Sequence, residues 1–204
     1  EEVNRIWTCS LVVVVKTLAQ QQVGGLWVSE TTWRHKAEAP SILGFAIIVV
    51  STSRFRELEL GRRVDDSSGN IIVQMLQRHG HLIALRRIVP DDSSMIEQSL
   101  KEALKSKDVD AVIMCGGTGI TPTDVTIETV GPLLQKELPG FGEVFRRISY
   151  DIIGSAAILT RAIAGVVNGK AVFCLPGSPQ AAELAIENLI LPELGHIIKH
   201  AREK

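Results

Sequence analysis

The sequence predicts an α/β protein with three layers, in which helices cover both faces of a mostly parallel sheet. Short apolar runs with the length of buried strands alternate with helical segments from residue 42 onward, and each run stops abruptly at a serine, a proline or a glycine. Of the 204 residues, 45% are hydrophobic and 22% are charged, which fits one globular domain with a sizeable core. Such alternation implies parallel strands that are connected by helices.

Four strands and six helices are predicted. The strands are expected at residues 45–50, 111–115 and 172–175, which are apolar runs, and at residues 82–89, a strand-like segment that ends at Pro90. The helices are expected at residues 71–76, 94–106, 126–137, 141–153, 180–190 and from 192 to near the C-terminus. Ser94 and Glu97 have the spacing of a capping box, and Pro139 with Gly140 separates the third helix from the fourth.

The N-terminal residues differ from the rest of the chain. Residues 1–38 contain all three tryptophans and are interpreted as an extension of unknown role, with residues 39–204 as the single domain. The apolar run Leu11 to Val15 is too short to span a membrane, and the two acidic residues at the start argue against a secretory signal. A strand added to the sheet edge, an expression leader and a native extension stay open as interpretations.

Charge and cysteine content narrow the class of protein. The chain has 22 Lys and Arg against 23 Asp and Glu, so neither a nucleic acid nor a membrane surface is expected as a partner. Cys9, Cys115 and Cys174 are far apart and form no CxxC pair, which is typical of a reducing cytoplasm. Cys115 and Cys174 lie in apolar runs and are assigned no catalytic role, because buried thiols usually act as small hydrophobic groups.

The most informative segment follows the strand at residues 111–115. Three glycines in the sequence Gly116-Gly117-Thr118-Gly119 remove Cβ atoms, so backbone N–H groups can approach a phosphate, and Thr118 and Thr121 add hydroxyl groups. The segment lacks the lysine of a Walker A loop and the spacing of a dinucleotide fingerprint. Asp124 either caps the next helix or faces a metal ion that the same phosphate holds.

Four loops are expected to converge at the carboxyl edge of the sheet, where ligands bind in open α/β folds. They are Ser51 to Arg54, Pro90 to Ser94, Gly116 to Asp124 and Pro176 to Pro179. Three of them precede helices whose N-terminal N–H groups would point into one crevice. The alternative is four unrelated turns, since turn chemistry explains each loop by itself.

These motifs resemble the molybdenum cofactor biosynthesis protein B family, which includes the molybdopterin adenylyltransferases. The resemblance covers roughly residues 40–200, and residues 1–34 match nothing in the family. The matching residues, in family order, are Asp66, Ser68 and Gly69; Val89 to Asp92; Gly116 to Gly119; Thr123 to Thr126; Pro139 to Phe141; and Pro176 to Pro179. One departure is Arg54, because a typical relative has an aspartate at that position, and Arg54 would favour phosphate binding there.

The resemblance implies a molybdopterin-binding fold, a homotrimer or homohexamer, and Mg²⁺-dependent transfer of AMP from ATP to the terminal phosphate of molybdopterin. It implies that Asp91 and Asp124 are the functional aspartates and that both hold Mg²⁺. The nucleotide phosphates would bind Gly116, Gly117, Thr118 and Gly119, with Ser51 and Ser53. The pterin substrate would bind Thr121, Thr123, Pro176, Gly177 and Ser178. Asp66, Ser68 and Glu143 are further candidates.

Structural roles compete with several of these assignments. Asp124 is equally suited to cap a helix, and Asp91 to form a turn. Capping would also explain Asp66 and Ser68, and Glu143 would complement a helix dipole. His196 and His200 have metal-binding spacing but no third ligand, so they are interpreted as an exposed helical pair, and Phe141 with Phe145 as a packing pair.

Three other functions are considered. A non-catalytic pterin carrier would keep the pocket without using ATP, although Asp91 and Asp124 favour catalysis. A nucleotide-processing relative of the competence-damage group is disfavoured by Thr118 and Thr123, which that group tends to lack. An interaction module would carry a large added domain, for which 204 residues leave no room.

Overall fold

The structure is a computed structural model and describes residues 20–23, 26–29 and 42–203. Trp7, Cys9, Trp33 and the apolar run Leu11 to Val15 lie outside the described residues. Strands β1 (Gln20–Val23) and β2 (Leu26–Ser29) pair antiparallel in a two-stranded sheet of their own. The structure therefore adds one hairpin to what the sequence predicts for the N-terminal region.

A six-stranded sheet organises the remaining chain and confirms the α/β class. Its strands are β3 (Gly44–Val50), β4 (Leu82–Val89), β5 (Ala111–Cys115), β6 (Lys136–Glu137), β7 (Ile163–Val167) and β8 (Lys170–Leu175). Their order across the sheet is β4-β3-β5-β8-β7-β6. The first four strands are parallel, and β7 and β6 continue the sheet antiparallel. The four predicted strands are thus the parallel part of the sheet.

Seven α-helices surround the sheet in the described part of the chain. They are α1 (Thr52–Glu59), α2 (Ser67–Arg78), α3 (Ser93–Lys105), α4 (Thr126–Val130), α5 (Pro139–Ile153), α6 (Pro179–Ala185) and α7 (Leu191–Arg202). Short 3₁₀ helices follow α4 at Gly131–Leu133 and α5 at Gly154–Leu159, and a π-helical turn at Ile186–Ile190 joins α6 to α7. Helix α1 is missing from the sequence prediction because it contains no fully buried residue and so has little apolar periodicity to detect.

The predicted helix at residues 126–137 is wrong in its second half. Helix α4 ends at Val130, because Pro132 lacks the N–H group that would continue it, and the chain turns into strand β6. Strand β7 was also not predicted. Asn168 and Gly169, with φ of 52° and 73°, form the tight turn between β7 and β8. This turn brings β7 back beside β8 in the antiparallel direction.

The caps of two helices differ from the sequence prediction. Asp92, rather than Ser94, caps α3, and its carboxylate accepts a hydrogen bond from the N–H of Met95 at 2.9 Å. The predicted capping box of Ser94 and Glu97 is therefore wrong, because α3 begins at Ser93 and its N-cap residue is Asp92. Ser68 lies inside α2 rather than before it, since Asp66 is the cap of that helix.

The central strands β3, β5 and β8 are buried on both faces of the sheet, and their successive side chains point to opposite sides. Phe45 and Ile47 of β3 illustrate the first face, which packs against α2, α5, α6 and α7. Ala46 and Ile48 face the opposite layer, which includes α3 and α4. Phe145 is 1% exposed and stacks against Phe141 at a centroid distance of 6.2 Å, as expected of a packing pair.

The two described cysteines are part of this core. Cys115 and Cys174 belong to opposite faces of the sheet, and burial raises the pKa of each thiol to about 12. Both therefore remain protonated at neutral pH, which supports a packing role. No helix in the described part of the chain is both long and apolar enough to span a membrane.

Candidate functional site at the carboxyl edge of the sheet

A cavity of about 450 Å³ opens where the parallel strands end. Its lining residues come from the loops after β3, β5 and β8 and from the segment that precedes β7: Val50, Ser51, Arg54, Gly116, Gly117, Thr118, Gly119, Asp124, Leu159, Thr160, Arg161, Pro176 and Gly177. Three of the four loops that the sequence selected therefore share one cavity. Asp91, in the fourth loop, lies directly behind Gly117.

The backbone of the glycine loop requires glycine at its first two positions. Gly116 and Gly117 have φ of 108° and 60°, which L side chains rarely adopt. A Cβ at Gly116 would lie 2.2 Å from the carbonyl oxygen of Val50, so the loop passes directly against the end of β3. Thr126 makes two hydrogen bonds to this loop. Its hydroxyl donates to the Gly116 carbonyl oxygen at 2.9 Å, and its N–H donates to the Gly117 carbonyl oxygen at 2.9 Å.

Two adjacent N–H groups of this loop have no hydrogen-bond partner among the described residues. The Gly116 N–H donates to the carbonyl oxygen of Leu175 at 3.0 Å, and the Gly119 N–H is near enough to Asp124 to lower the pKa of its carboxyl group. The hydrogen bonds among the described residues do not include the N–H groups of Gly117 and Thr118. Pairs of adjacent backbone donors beside a cavity are typical of anion-binding loops, since backbone N–H groups bind phosphate oxygens without adding charge.

The Asp124 carboxylate closes the loop instead of capping a helix. The N-cap residue of α4 is Val125, which makes no side-chain cap. Asp124 Oδ2 accepts hydrogen bonds from the Thr121 N–H at 2.9 Å and the Thr121 hydroxyl at 2.6 Å. These bonds, the Gly119 N–H and the nearby charge of Arg161 lower the pKa of Asp124, so the carboxylate is ionised at neutral pH.

Thr121 and Thr123 support this carboxylate. The Thr121 hydroxyl donates its proton to Asp124, and it lies 2.9 Å from the hydroxyl of Thr123. Neither threonine is part of the cavity lining. In this structure the Thr121 hydroxyl is therefore engaged within the loop rather than directed at a ligand.

Asp91 joins two strand-end loops. Its Oδ2 atom accepts hydrogen bonds from the N–H of Thr52 at 2.9 Å and the hydroxyl of Thr52 at 2.7 Å, and the Asp91 N–H donates to the same hydroxyl oxygen at 3.0 Å. The second oxygen, Oδ1, would lie 2.8 Å from a Cβ at Gly117 and thus faces the glycine loop. Sequence reasoning missed Thr52, because a contact between residues 39 positions apart leaves no local signal.

The loop after β3 places a serine and an arginine beside the cavity. Ser51 caps α1 by accepting from the Arg54 N–H at 3.4 Å, and its hydroxyl lies 3.2 Å from the hydroxyl of Ser53, which is not in the lining. The Arg54 guanidinium donates to the Asp65 carbonyl oxygen at 3.0 Å and lies 4.0 Å from Asp66. Arg54 therefore provides positive charge near the cavity while it remains attached to the start of α2.

Arg161, Thr160 and Leu159 are cavity residues that sequence reasoning missed. They precede β7, and because β7 runs antiparallel to β8, its first residues lie beside the carboxyl end of β8. Arg161 Nη1 donates to the Gly119 carbonyl oxygen at 2.8 Å, and its Nη2 pairs with Glu128. The Asn168-Gly169 pair is a sequence signal for a tight turn. It would have predicted that β7 runs antiparallel to β8 and so begins beside the cavity.

The remaining candidates lie outside the cavity lining. Ser178 caps α6 by accepting from the Ala181 N–H at 3.2 Å. Glu143 is exposed on α5, beyond the first turn of that helix. The Nε2 atoms of His196 and His200 lie 2.8 Å apart. The described residues contain no group of three or more His, Cys, Asp or Glu side chains that could hold a metal ion.

Asp66 has a clear structural role. It is 4% exposed, accepts from the N–H of Gly69 at 3.0 Å as the cap of α2, and pairs with Arg86 Nη2 at 2.6 Å. Ser68 is fully buried as the second residue of the same helix and contacts Arg54 Nη1 at 3.5 Å. Both residues lie behind the site rather than within the cavity lining.

We expect Asp66→Ala to lower the free energy of unfolding by about 2–3 kcal/mol, because it removes a helix cap and leaves Arg86 without its buried partner. Urea unfolding measures this change. The matched control is Asp92→Ala, which removes the exposed cap of α3 and should cost about 1 kcal/mol. Unchanged stability in Asp66→Ala together with lost ligand binding would contradict the structural role and favour a functional one.

Comparisons with known proteins agree with this geometry. The family described as "probable molybdopterin binding domain" matches residues 46–196. The chain is 45% identical over 170 residues to "Molybdenum cofactor biosynthesis protein B" of Bacillus subtilis, covering 83% of this chain and 96% of the relative. It is 45% identical over 173 residues to "Molybdopterin adenylyltransferase" of Pyrococcus furiosus, covering 83% and 97%.

A solved structure is similar over the same region. The crystal structure titled "tungsten cofactor synthesizing protein" from Pyrococcus furiosus superposes with a TM-score of 0.72 at 44% identity. The match covers 81% of this chain and all of that chain. The family match at residues 46–196 includes the loops at the carboxyl edge of the sheet.

Proposed function

The chain belongs to the molybdenum cofactor biosynthesis protein B family of molybdopterin-binding domains, and from this membership we propose that it is a molybdopterin adenylyltransferase of molybdenum or tungsten cofactor biosynthesis. It transfers AMP from ATP to the terminal phosphate of molybdopterin. The observation that carries the proposal is the pair of Gly117 and Thr118 N–H groups beside the cavity, with the ionised Asp124 on the same loop. Relatives at 45% and 38% identity are named molybdopterin adenylyltransferase or its probable form.

The reaction requires positioning and charge neutralisation more than a protein nucleophile. An oxygen of the molybdopterin phosphate attacks the α-phosphorus of ATP, and the bond from that phosphorus to the bridging oxygen breaks. Pyrophosphate leaves with the electron pair of the broken bond. The N–H groups of Gly117 and Thr118 would bind phosphate oxygens, and because Gly116 and Thr126 fix this loop, its donors need no reorganisation during the reaction.

The carboxylates of the site fit a magnesium ion. Mg²⁺ prefers oxygen ligands and is commonly held by one or two carboxylates together with substrate phosphates and water. Asp91 Oδ1 faces the glycine loop and Asp124 is ionised beside the cavity, so these two residues would hold the ion. When bound, the ion would offset the negative charge of the phosphate chain.

The other candidate residues divide between the two substrates in this proposal. Ser51 and Gly119 line the cavity beside the nucleotide phosphates, with Ser53 at the start of α1. Pro176 and Gly177 would contact the pterin, and they are held against the glycine loop because a Cβ at Gly177 would lie 3.3 Å from the Cα of Gly116. Thr121, Thr123 and Ser178 would contribute through the loops that they close.

We further propose a cytoplasmic homotrimer or homohexamer whose catalytic domain is residues 39–204, preceded by an extension at residues 1–38. Exposed apolar side chains at the end of α5 and in the following 3₁₀ helix support subunit contacts. They are Tyr150, Ile152, Ile153, Ile158 and Leu159, with exposed fractions of 53% to 85%. Leu159 also lines the cavity, so such an interface would lie next to the active site.

The test is to incubate the purified protein with molybdopterin, ATP and Mg²⁺ and to follow adenylylated molybdopterin and pyrophosphate. We expect both products in equal amounts, and neither after chelation of Mg²⁺. Binding of molybdopterin without formation of product would contradict the assignment as an enzyme and favour a non-catalytic pterin carrier. Absence of both binding and product would contradict the whole assignment.

A further inference from the structure

Arg161 is a charged residue of the cavity to which the proposed reaction assigns no part. Resting on the proposed function, we propose that Arg161 is a phosphate-binding residue and that Glu128 holds its guanidinium beside the glycine loop until a phosphate group replaces it. The ligand chemistry is a phosphate of the nucleotide or of the pterin substrate. Three features of the structure support this inference: the position of Arg161, the weakness of its present partner, and the charge of the cavity.

The position of Arg161 is fixed from two sides. Its Nη1 donates to the Gly119 carbonyl oxygen at 2.8 Å, so the guanidinium is attached to the loop whose residues Gly117 and Thr118 line the cavity. Its Nη2 pairs with Glu128 of α4. The guanidinium carries five donors in one plane, and these two contacts leave other donors for a ligand.

The ion pair with Glu128 is easily exchanged. The Arg161 side chain is 32% exposed and the Glu128 side chain 53% exposed, so water screens the pair and its contribution is small. A phosphate group offers more negative charge than one carboxylate and matches the planar guanidinium with two oxygens. Replacing Glu128 by a phosphate oxygen is therefore favourable, while the bond to Gly119 keeps the guanidinium in place.

The charges that line the cavity also support a phosphate-binding role for Arg161. Its charged lining residues are Arg54, Asp124 and Arg161. Arg54 is attached to the Asp65 carbonyl oxygen and lies near the buried Asp66, whereas Asp124 would repel a phosphate that no cation accompanies. Arg161 is the guanidinium that contacts the glycine loop itself, and a cation there would stabilise the negative charge that develops on the departing pyrophosphate.

The experiment measures binding of α,β-methylene-ATP with Mg²⁺ by calorimetry, because this analogue cannot release pyrophosphate. We expect Arg161→Ala to weaken binding about ten- to a hundredfold, the scale of one lost charge-assisted hydrogen-bonded contact. Arg161→Lys should bind with intermediate affinity, since it keeps the charge but loses the planar pair of donors. Glu128→Gln should bind the analogue at least as tightly as the native protein.

The matched control is Arg87→Ala, which removes the same kind of arginine–glutamate pair, with Glu102, outside the cavity. We expect native affinity from it. Binding of the ATP analogue to the native protein should weaken as salt is added, and Arg161→Ala should show a smaller salt dependence. A purely structural role for Arg161 would leave the salt dependence of binding unaltered. A second arm repeats the titrations with molybdopterin and identifies which of the two phosphates Arg161 contacts.

Native affinity of Arg161→Ala for both ligands would overturn the inference while leaving the proposed function intact. Weaker binding of the ATP analogue to Glu128→Gln would overturn the proposed replacement of Glu128 by a phosphate. Glu128 would then support ligand binding rather than compete with the ligand for Arg161. If the native protein bound neither ligand, the proposed function itself would fail. The native titration separates that result from a failure of the inference.

Discussion

Asp124→Ala is expected to lower kcat for adenylyl transfer by about a hundredfold or more, the scale for loss of one preorganised electrostatic group. The carboxylate accepts two hydrogen bonds from Thr121, so it is fixed before the substrates bind. Alanine would remove both its charge and the closure of the loop. Initial rates of pyrophosphate release at saturating ATP and molybdopterin measure the effect.

Asp124→Asn separates the charge from the closure of the loop. The amide oxygen can still accept from Thr121, so a rate near the native value would show that the charge is dispensable, and a rate near that of alanine would show that it is required. Asp92→Ala is the control, because Asp92 caps α3 and is absent from the cavity lining. Native turnover in Asp124→Ala would contradict the assignment of Asp124 to the reaction.

The effect of pH on Asp124 follows from its lowered pKa. A carboxyl group whose pKa is lower in the folded state stabilises the fold above the unfolded pKa, and this contribution is lost as pH falls through the folded value. The hydrogen bonds from Thr121 lower the pKa of Asp124 below its ordinary value of 3.8. Its charge should therefore persist throughout the neutral and mildly acidic range.

Gly116→Ala is expected to lower the free energy of unfolding by about 3–5 kcal/mol, the combined scale of a strained positive φ and an overpacked contact. The φ of 108° disfavours any L side chain, and the new Cβ would meet the Val50 carbonyl oxygen at 2.2 Å. Backbone atoms cannot rotate away as a flexible side chain can. Thermal unfolding should show a midpoint about 10 °C lower.

Gly61→Ala is the matched control for backbone strain. Gly61 has φ of 67°, but a Cβ there meets nothing within 4 Å. Gly61→Ala should therefore lower the free energy of unfolding by only about 1 kcal/mol, the cost of placing an L side chain in a left-handed backbone conformation. Equal losses in the two variants would contradict the steric part of the argument, and native stability in Gly116→Ala would contradict both parts.

The sequence predicted those features of the fold that follow from local patterns. Apolar runs identified β3, β5 and β8, a strand-like segment before Pro90 identified β4, and the glycines after β5 identified the loop that lines the cavity. The convergence of these loops then followed from the rule that parallel strands end at one edge. For this reason the loops that contain Ser51, Gly116 and Gly177 were placed at one edge without any structural information.

The features that escaped prediction depend on contacts between distant residues or on weak patterns. Helix α1 contains no buried residue and has little apolar periodicity to detect in its sequence. Thr52 and Asp91 meet across two loops, although each looks like an ordinary turn residue in the sequence. Arg161 reaches the cavity only because β7 reverses the direction of the sheet, and β7 itself is short and contains small residues.

The pairing of β5 with β8 has a consequence for the order in which the protein becomes functional. Cys115 at the end of β5 lies opposite Leu175 at the end of β8, about 60 residues later in the chain. Closing so long a loop costs entropy before any contact repays it, which slows folding. During synthesis, a ribosome must therefore release most of the chain before the glycine loop acquires its support from β8. Until then the nascent protein has the motif but not the site.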